Sequence, residues 1–327
     1  MRRALLLAAL VAALAGGCGG HSGPPSGGPV GLALDFTPNP AHAPIYLAAH
    51  EHFDRGLGVR LSILVPGSSG PDTLKLLLSH RADIGVLDIQ DLALARDRGV
   101  DVVGIAALVE RPLSAIIAQP YIHRPRDLDG RRVGVSGLPS DPAFLRALID
   151  DDGGNYATVK PVVIGFGAVS QMAAGNVAAV PAFWSDEGVA LRMRGIRVSE
   201  FRIEDYGAPV YPEVVLVALR SALSSRREAI VRTLAAIARG ARYAVAHPAV
   251  ASAVIAQAAG GGDPRLIAAQ TAAIAPALVP PLRLHFGVLR RFSAFETRAG
   301  LLPRPLDVMR AFDFSIAPAA LRLAGAG

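Results

Sequence analysis

The chain has 327 residues, 51% of them hydrophobic, and 33 Lys and Arg against 27 Asp and Glu give a formal net charge of +6. That charge is dispersed over arginines, with Lys75 and Lys160 the only lysines and no block of five or six like charges. It therefore reads as compositional bias and excludes nucleic acid as an expected partner. A single cysteine, Cys18, excludes disulfides from the processed chain, so stability has to come from packing.

Arg2 and Arg3 precede an apolar run from Ala4 to Leu14, and Ala15, Gly16 and Gly17 lead to Cys18. A spanning helix needs roughly 20 apolar residues; this run is shorter and gives way to a polar, flexible stretch, so it reads as a signal peptide. Leu14-Ala15-Gly16-Gly17-Cys18 resembles a lipobox, in which the cysteine becomes the lipid attachment point. Residues 1–18 are thus expected to be a lipoprotein signal and 19–29 a tether; an ordinary secretory signal with an incidental cysteine is the alternative.

About 300 residues then remain, more than one usual domain. Val30 to Asp35, Val59 to Val65, Ala82 to Leu87 and Val102 to Leu108 read as buried strands of a parallel sheet. Helical faces fall between them at Tyr46, Ala49 and Phe53 and at Leu74, Leu77 and Leu78. A second α/β set follows: Arg132 to Ser136, Val159 to Gly165 and Val177 to Phe183, separated by helical stretches. After a strand at Val214 to Leu219, a long helix from Arg226 carries an apolar stripe of Ile230, Leu234, Ile237, Ala241 and Val245, and the remainder is mostly helical, broken at Gly260 to Asp263 and at Pro280-Pro281.

The expected fold is α/β with two lobes joined by two crossing strands, Leu113 to Gln119 and Val214 to Leu219. Residues 30–115 and 215–327 make lobe 1 and residues 116–214 make lobe 2. A ligand cleft is expected between the lobes where strands end in loops, with closure as the motion. Two domains of an enzyme would give the same pattern.

Enzyme signatures are incomplete. Gly165-Phe166-Gly167-Ala168-Val169-Ser170 lacks the last glycine of a dinucleotide fingerprint, and there is no phosphate loop ending in Gly-Lys-Ser/Thr. Gly134-Val135-Ser136-Gly137-Leu138 misses the spacing of a nucleophile elbow. His50 and His52, two apart on a helix, diverge and have no cysteine partner, so no metal site is expected. No catalytic residue and no cofactor are assigned.

The loop after the first strand, Asp35-Phe36-Thr37-Pro38-Asn39-Pro40-Ala41-His42, is fixed by prolines and places Asp35, Phe36, Asn39 and His42 at the carboxyl end of a sheet. An ordinary turn with Asn39 or Asp35 as a cap is the plainer reading. Phe183-Trp184-Ser185-Asp186-Glu187 offers the only tryptophan and a carboxylate three residues on, suited to stacking and hydrogen-bonding a heteroaromatic ring. Alternatively, Trp184 belongs to the core and Glu187 to a helix start. Leu87-Asp88-Ile89-Gln90-Asp91 offers a similar edge in the first lobe.

Leu34 to Tyr46, Ala82-Asp83-Ile84-Gly85, Arg111-Pro112-Leu113, Asp127 to Gly134, Phe183 to Gly188 and Tyr211-Pro212-Glu213-Val214 together resemble the solute-binding proteins for thiamine pyrimidine precursors, in the broader group that includes sulfonate and riboflavin binders. The resemblance implies the type II periplasmic-binding-protein fold, a permease and ATPase of an ABC importer as partners, and an aminopyrimidine ligand such as hydroxymethylpyrimidine or its formylaminomethyl relative. Carried onto this chain, it implies Phe36 and Trp184 as stacking rings, Glu187 as a carboxylate at the ring edge, and Asn39 and His42 as polar loop contacts. It adds Asp88, Gln90 and Tyr211. Relatives carry Trp at the position of Phe36 and Asn-Tyr at Ser185-Asp186, so riboflavin or a sulfonate is the alternative ligand. The thiamine-pyrimidine synthases share the first loop, but they use a lysine-bound pyridoxal phosphate and a cysteine-rich iron motif; here Cys18 lies in the signal and Lys75 is the only lysine of lobe 1. The expected protein is thus a monomeric lipoprotein on the extracytoplasmic face of the membrane, serving import or, alternatively, sensing.

Overall fold

In the computed structural model, residues 28–66, 73–138, 140–165 and 167–325 are described. The signal, Cys18 and all but the end of the tether lie outside them. Ten strands form: β1 (Val30–Ala33), β2 (Leu61–Leu64), β3 (Ile84–Asp88), β4 (Val102–Val109), β5 (Ser114–Ala118), β6 (Arg132–Val135), β7 (Lys160–Val163), β8 (Ala179–Phe183), β9 (Ser199–Arg202) and β10 (Val214–Leu219). The runs of Val, Ile, Leu and Ala that make β1, β4 and β10 are buried along their whole length, as strands covered on both faces must be.

Two five-stranded sheets result, ordered β2-β1-β3-β10-β4 and β7-β6-β8-β5-β9. They repeat one plan. β1 lies parallel between β2 and β3, as β6 lies parallel between β7 and β8. The fourth position of each is an antiparallel strand that has just crossed from the other lobe: β10 in the first sheet, β5 in the second. The sheets are therefore mixed, where a parallel sheet was expected. The chain crosses between β4 and β5 and again before β10, so the crossing segments are the short stretches 110–113 and 207–213, and the two strands read as crossings are sheet members. β9 has no counterpart in the sequence reading; it is a short edge strand in which Phe201 is buried and Ser199, Glu200 and Arg202 are half-exposed.

Helices cover the sheets: α1 (Ala43–His50), α2 (Ile89–Asp97), α3 (Asp141–Asp151), α4 (Glu187–Met193), α5 (Arg220–Ala246), α6 (Pro264–Ile274) and α7 (Phe286–Arg298) among others. Several begin with an acceptor side chain followed by proline. Asn39 Oδ1 accepts from Ala41 N at 2.9 Å with Pro40 next, and Asp263 Oδ1 accepts from Arg265 N at 2.9 Å with Pro264 next. The apolar stripe of α5 is buried at Ile230, Leu234, Ile237 and Ala241. The helix begins six residues earlier than expected and bends at Arg226, whose φ of −130° is not helical.

The hydrophobic interior is shared between the lobes. One cluster of buried residues joins β1, α1 and α5 to Leu113, Ala115 and Trp184; another joins Leu87 and Leu92 to Leu145, Leu148, Tyr211 and Phe292. The C-terminal helices touch lobe 2 as well: Arg146 Nη1 donates to Ala299 O at 3.4 Å, and the rings of Phe292 and Tyr211 lie 4.8 Å apart.

The tightest packing is between α1 and α5. A Cβ added at Gly240 meets the Pro44 carbonyl oxygen at 2.1 Å and Ala48 N at 3.1 Å, so only glycine permits this approach. Gly240→Ala should destabilise the protein by about 1–3 kcal/mol through overpacking against backbone that cannot yield, despite the higher helix propensity of alanine. Urea denaturation checks this; an unchanged midpoint would mean the helices are not in this contact.

Candidate functional site

In a sheet of order 2-1-3, ligands bind beyond the carboxyl ends of the strands where the order reverses. Here that point lies between β1 and β3 in one lobe and between β6 and β8 in the other, and the two face each other. Between them is a cleft of about 520 Å³ lined by Asp88 and Gln90 after β3, Ser136 and Leu138 after β6, Pro181 to Phe183 of β8, Ser114, Ser140, Asp141, Phe144 and Glu213. Its charged lining residues are three carboxylates; none of the described lining residues is basic.

His42 organises the loop after β1. It is 1% exposed, its Nδ1 accepts from Asn39 N at 3.3 Å, and its Nε2 lies 2.8 Å from Asp35 Oδ1. A backbone N–H aimed at Nδ1 leaves the proton on Nε2, which donates to Asp35 and fixes that carboxylate at the sheet end. Asn39 is spent on its cap. Phe36 stands half-buried on the same loop.

At the end of β3, Asp88 occupies the N-cap position of α2 yet makes no capping hydrogen bond, and its Oδ1 is buried without a partner. Burial, then Asp35, Glu213 and Asp91, push its carboxyl well above the ordinary range. Asp91 is raised to about 6 by burial and by Asp35 and Asp141. Gln90 Nε2 donates to Tyr211 Oη at 3.0 Å, and its Oε1 is buried with no partner. Tyr211, wholly buried, stands behind the cleft and holds Gln90.

Glu213 joins the two crossings. Its Oε2 accepts from Leu113 N at 2.8 Å and Ser114 N at 3.0 Å, its Oε1 from Ser114 Oγ at 2.9 Å, and its own carbonyl from Ile89 N at 2.9 Å. In lobe 2, Asp141 accepts from Ser136 Oγ, from Gly137 N at 2.7 Å and from Leu138 N at 3.0 Å. It thereby shapes a turn in which Gly137 takes a φ of +91°.

Trp184 is placed in the hinge. It is 9% exposed, its N–H donates to Leu113 O at 3.0 Å, its Nε1–H donates to Pro112 O at 3.1 Å, and the Arg202 guanidinium covers its ring at 4.1 Å. The ring expected to stack on a ligand is thus held against the first crossing and lines no cleft described here. The aromatic walls of the cleft are Phe144 and Phe183, which sequence reasoning did not single out. Glu187, at the start of α4, turns back so that Oε2 accepts from Phe183 N at 3.0 Å; burial and then Asp186 raise it to about 8. Asp186 is raised to about 6 by burial, against His42 and a hydrogen bond from Gln270 Nε2 on α6. Asn39, Phe183, Asp186 and Gln270 meet there with almost no free space between them. Asp141 and Gln270 gave no sequence signal, because their partners are set by folding. Among the described residues no group of three or more His, Cys, Asp or Glu is arranged to hold a metal ion, and no helix is long and apolar enough to cross a membrane.

Two measurements test this geometry. Trp184→Ala should cost about 3–5 kcal/mol of stability, read as a shift in denaturation midpoint; a loss below about 1 kcal/mol would show that the ring is not packed in the hinge. Second, Asp91, Asp186, Glu187 and Glu296 titrate at about 6, 6, 8 and 8 when folded, against about 4 when unfolded. Between those values the folded protein binds more protons than the unfolded chain. Stability is therefore greatest below the unfolded values and is lost as pH rises to about 8. The melting temperature of the empty protein should fall from about pH 5 to pH 8; a flat or rising curve would show these carboxyls are not buried as described.

Comparison with known proteins agrees with this architecture. The chain is 28% identical over 222 residues to the formylaminopyrimidine-binding protein of Halalkalibacterium halodurans, covering 67% of each. It is 29% identical over 140 residues to the 4-amino-5-hydroxymethyl-2-methylpyrimidine phosphate synthase of Legionella pneumophila, 40% of this chain and 42% of that one. The periplasmic aliphatic sulphonate binding protein of Escherichia coli superposes with a TM-score of 0.70 at 17% identity, over 88% of this chain and 92% of that one, which shows the two-lobed periplasmic-binding-protein fold. Residues 39–251 match the family described as NMT1/THI5 like, and the chain belongs to that family.

Proposed function

We propose that this chain is an extracytoplasmic solute-binding lipoprotein that captures a thiamine pyrimidine precursor, of the hydroxymethylpyrimidine or formylaminopyrimidine type, and delivers it as a monomer to the permease and ATPase of an ABC importer. The observation that carries the reading is the cleft itself. It lies at the strand ends of both lobes, where sheets of this order bind ligands, and has aromatic walls in Phe144 and Phe183 and a charged lining made only of carboxylates. A flat ring bearing amino groups sets its faces against the phenyl rings and its N–H donors against those acceptors.

Similarity to the formylaminopyrimidine-binding protein supports this choice. A sulfonate, by contrast, would meet Asp88, Asp141 and Glu213 with no cation among the described lining residues. A synthase reading has little to stand on: the only cysteine is Cys18, ahead of the sheets, so no cysteine-rich iron motif is available. In this proposal Asp88 and Gln90 form the floor, and Asp35, Phe36, Asn39 and His42 form the rim of lobe 1. Glu187 stands at the far edge, while Tyr211 and Trp184 brace the site from behind. The signal and Cys18 give export and anchoring, and the Gly19 to Pro29 stretch gives reach to the permease.

Calorimetric titration of the mature protein with hydroxymethylpyrimidine, its formylaminomethyl analogue, thiamine and riboflavin tests the reading. One of the two pyrimidines should bind with sub-micromolar affinity, about −8 kcal/mol or better, ahead of riboflavin. Silence to both pyrimidines overturns it.

A further inference from the structure

Gln90 Oε1 and Asp88 Oδ1 are buried, unpartnered acceptors two residues apart on the wall of one cleft. The orientation of the Gln90 amide is determined by its surroundings. Its nitrogen faces the Tyr211 hydroxyl at 3.0 Å and also donates toward the Glu213 carboxylate, so a flipped amide would set oxygen against carboxylate. Gln90 is 8% exposed and lines the cleft, so whatever occupies the cleft is what can reach this oxygen. Asp88 sits where a helix cap is usual, yet it leaves its own helix uncapped.

The groups facing this pair are all acidic or neutral: Asp35 from the loop after β1, Glu213 from the second crossing, Asp91 from α2 itself, and beyond Asp91 the Asp141 of lobe 2. The one cation acting on them is Arg98, through Asp91. The Gln90 oxygen can only accept, and the Asp88 carboxyl beside it either gives up its proton to a basic ring nitrogen or, once ionised, pairs with its protonated form. An amino group beside such a nitrogen matches both, whereas a carbonyl in the place of the amino group would set oxygen against the Gln90 oxygen.

We propose that Asp88 and Gln90 are the specificity pair of this cleft, and that they select an amidine-type edge, an amino group beside a protonated ring nitrogen, over the same ring carrying a carbonyl. This rests on the function proposed above and deepens it by naming which edge of the heterocycle is read and by which atoms.

The test is calorimetric titration of wild type, Asp88→Asn and Gln90→Leu with 4-amino-5-hydroxymethyl-2-methylpyrimidine and with its 4-oxo counterpart, alongside melting of each empty protein. Wild type should bind the amino compound at least tenfold more tightly than the oxo compound, and each variant should lose at least tenfold for the amino compound. Empty Asp88→Asn should melt higher than wild type at neutral pH, because asparagine needs no proton to be buried beside Asp35, Glu213 and Asp91 whereas the raised Asp88 carboxyl must take one up; a merely structural carboxyl would melt lower when replaced. Wild-type binding of the amino compound with Asp88→Asn unaffected, or a lowered melting temperature in that variant, overturns this proposal and leaves the proposed function standing. Failure of wild type to bind either pyrimidine overturns the function itself.

Discussion

The arrangement of the two lobes depends on one carboxylate. Glu213 leaves the second crossing and takes three hydrogen bonds from Leu113 and Ser114 of the first, while its carbonyl takes Ile89 N at the start of α2. Four contacts from one residue thus tie both crossings to the end of β3. A wholly buried carboxylate is unfavourable unless its lone pairs are filled, and these donors fill them. After burial and Asp35, the same residue also raises the Asp88 carboxyl beside it, so the group that fixes the hinge contributes to the electrostatics of the cleft.

Much of this was legible in the chain. Apolar runs marked β1, β4 and β10 to within a few residues because strands covered on both faces have no polar side to blur the pattern. The fragments Arg111-Pro112-Leu113 and Tyr211-Pro212-Glu213-Val214, which carried the family resemblance, prove to be the two crossings. What stayed hidden was direction. Trp184 follows a strand end just as a ligand-facing ring would, and only the positions of the Pro112 and Leu113 carbonyls turn it into the hinge. β9 escaped because an edge strand of Ser, Glu, Phe and Arg carries no usable alternation. Asp186 and Gln270, 84 residues apart, meet only after α6 folds back across lobe 2.

The fold alone does not choose a ligand. The sulphonate-binding neighbour from Escherichia coli shares the two-lobed scaffold over most of its length, which is the general situation for a widely used architecture. Chemistry at the strand ends discriminates, and there this chain presents carboxylates and a bare amide oxygen. The lobes are also less independent than two separate cores would be, since α7 packs Phe292 against Tyr211 directly behind Gln90. Movement at the back of the hinge is therefore mechanically connected to the cleft floor through Tyr211.

The cleft is costly to the empty protein. Each buried acceptor without a donor forfeits about 1–3 kcal/mol, and Asp88 and Gln90 supply two such atoms within one wall, beneath a set of mutually repelling carboxyls. A scaffold keeps such groups when something bound to it satisfies them, because energy withheld from the empty state is regained in the complex. Asp91, raised first by burial, then by Asp35 and then by Asp141 of lobe 2, carries that unfavourable field across the lobe boundary. A ligand that donates to Gln90 and pairs with Asp88 satisfies the bare atoms of this wall, and selectivity would follow from those same unsatisfied atoms.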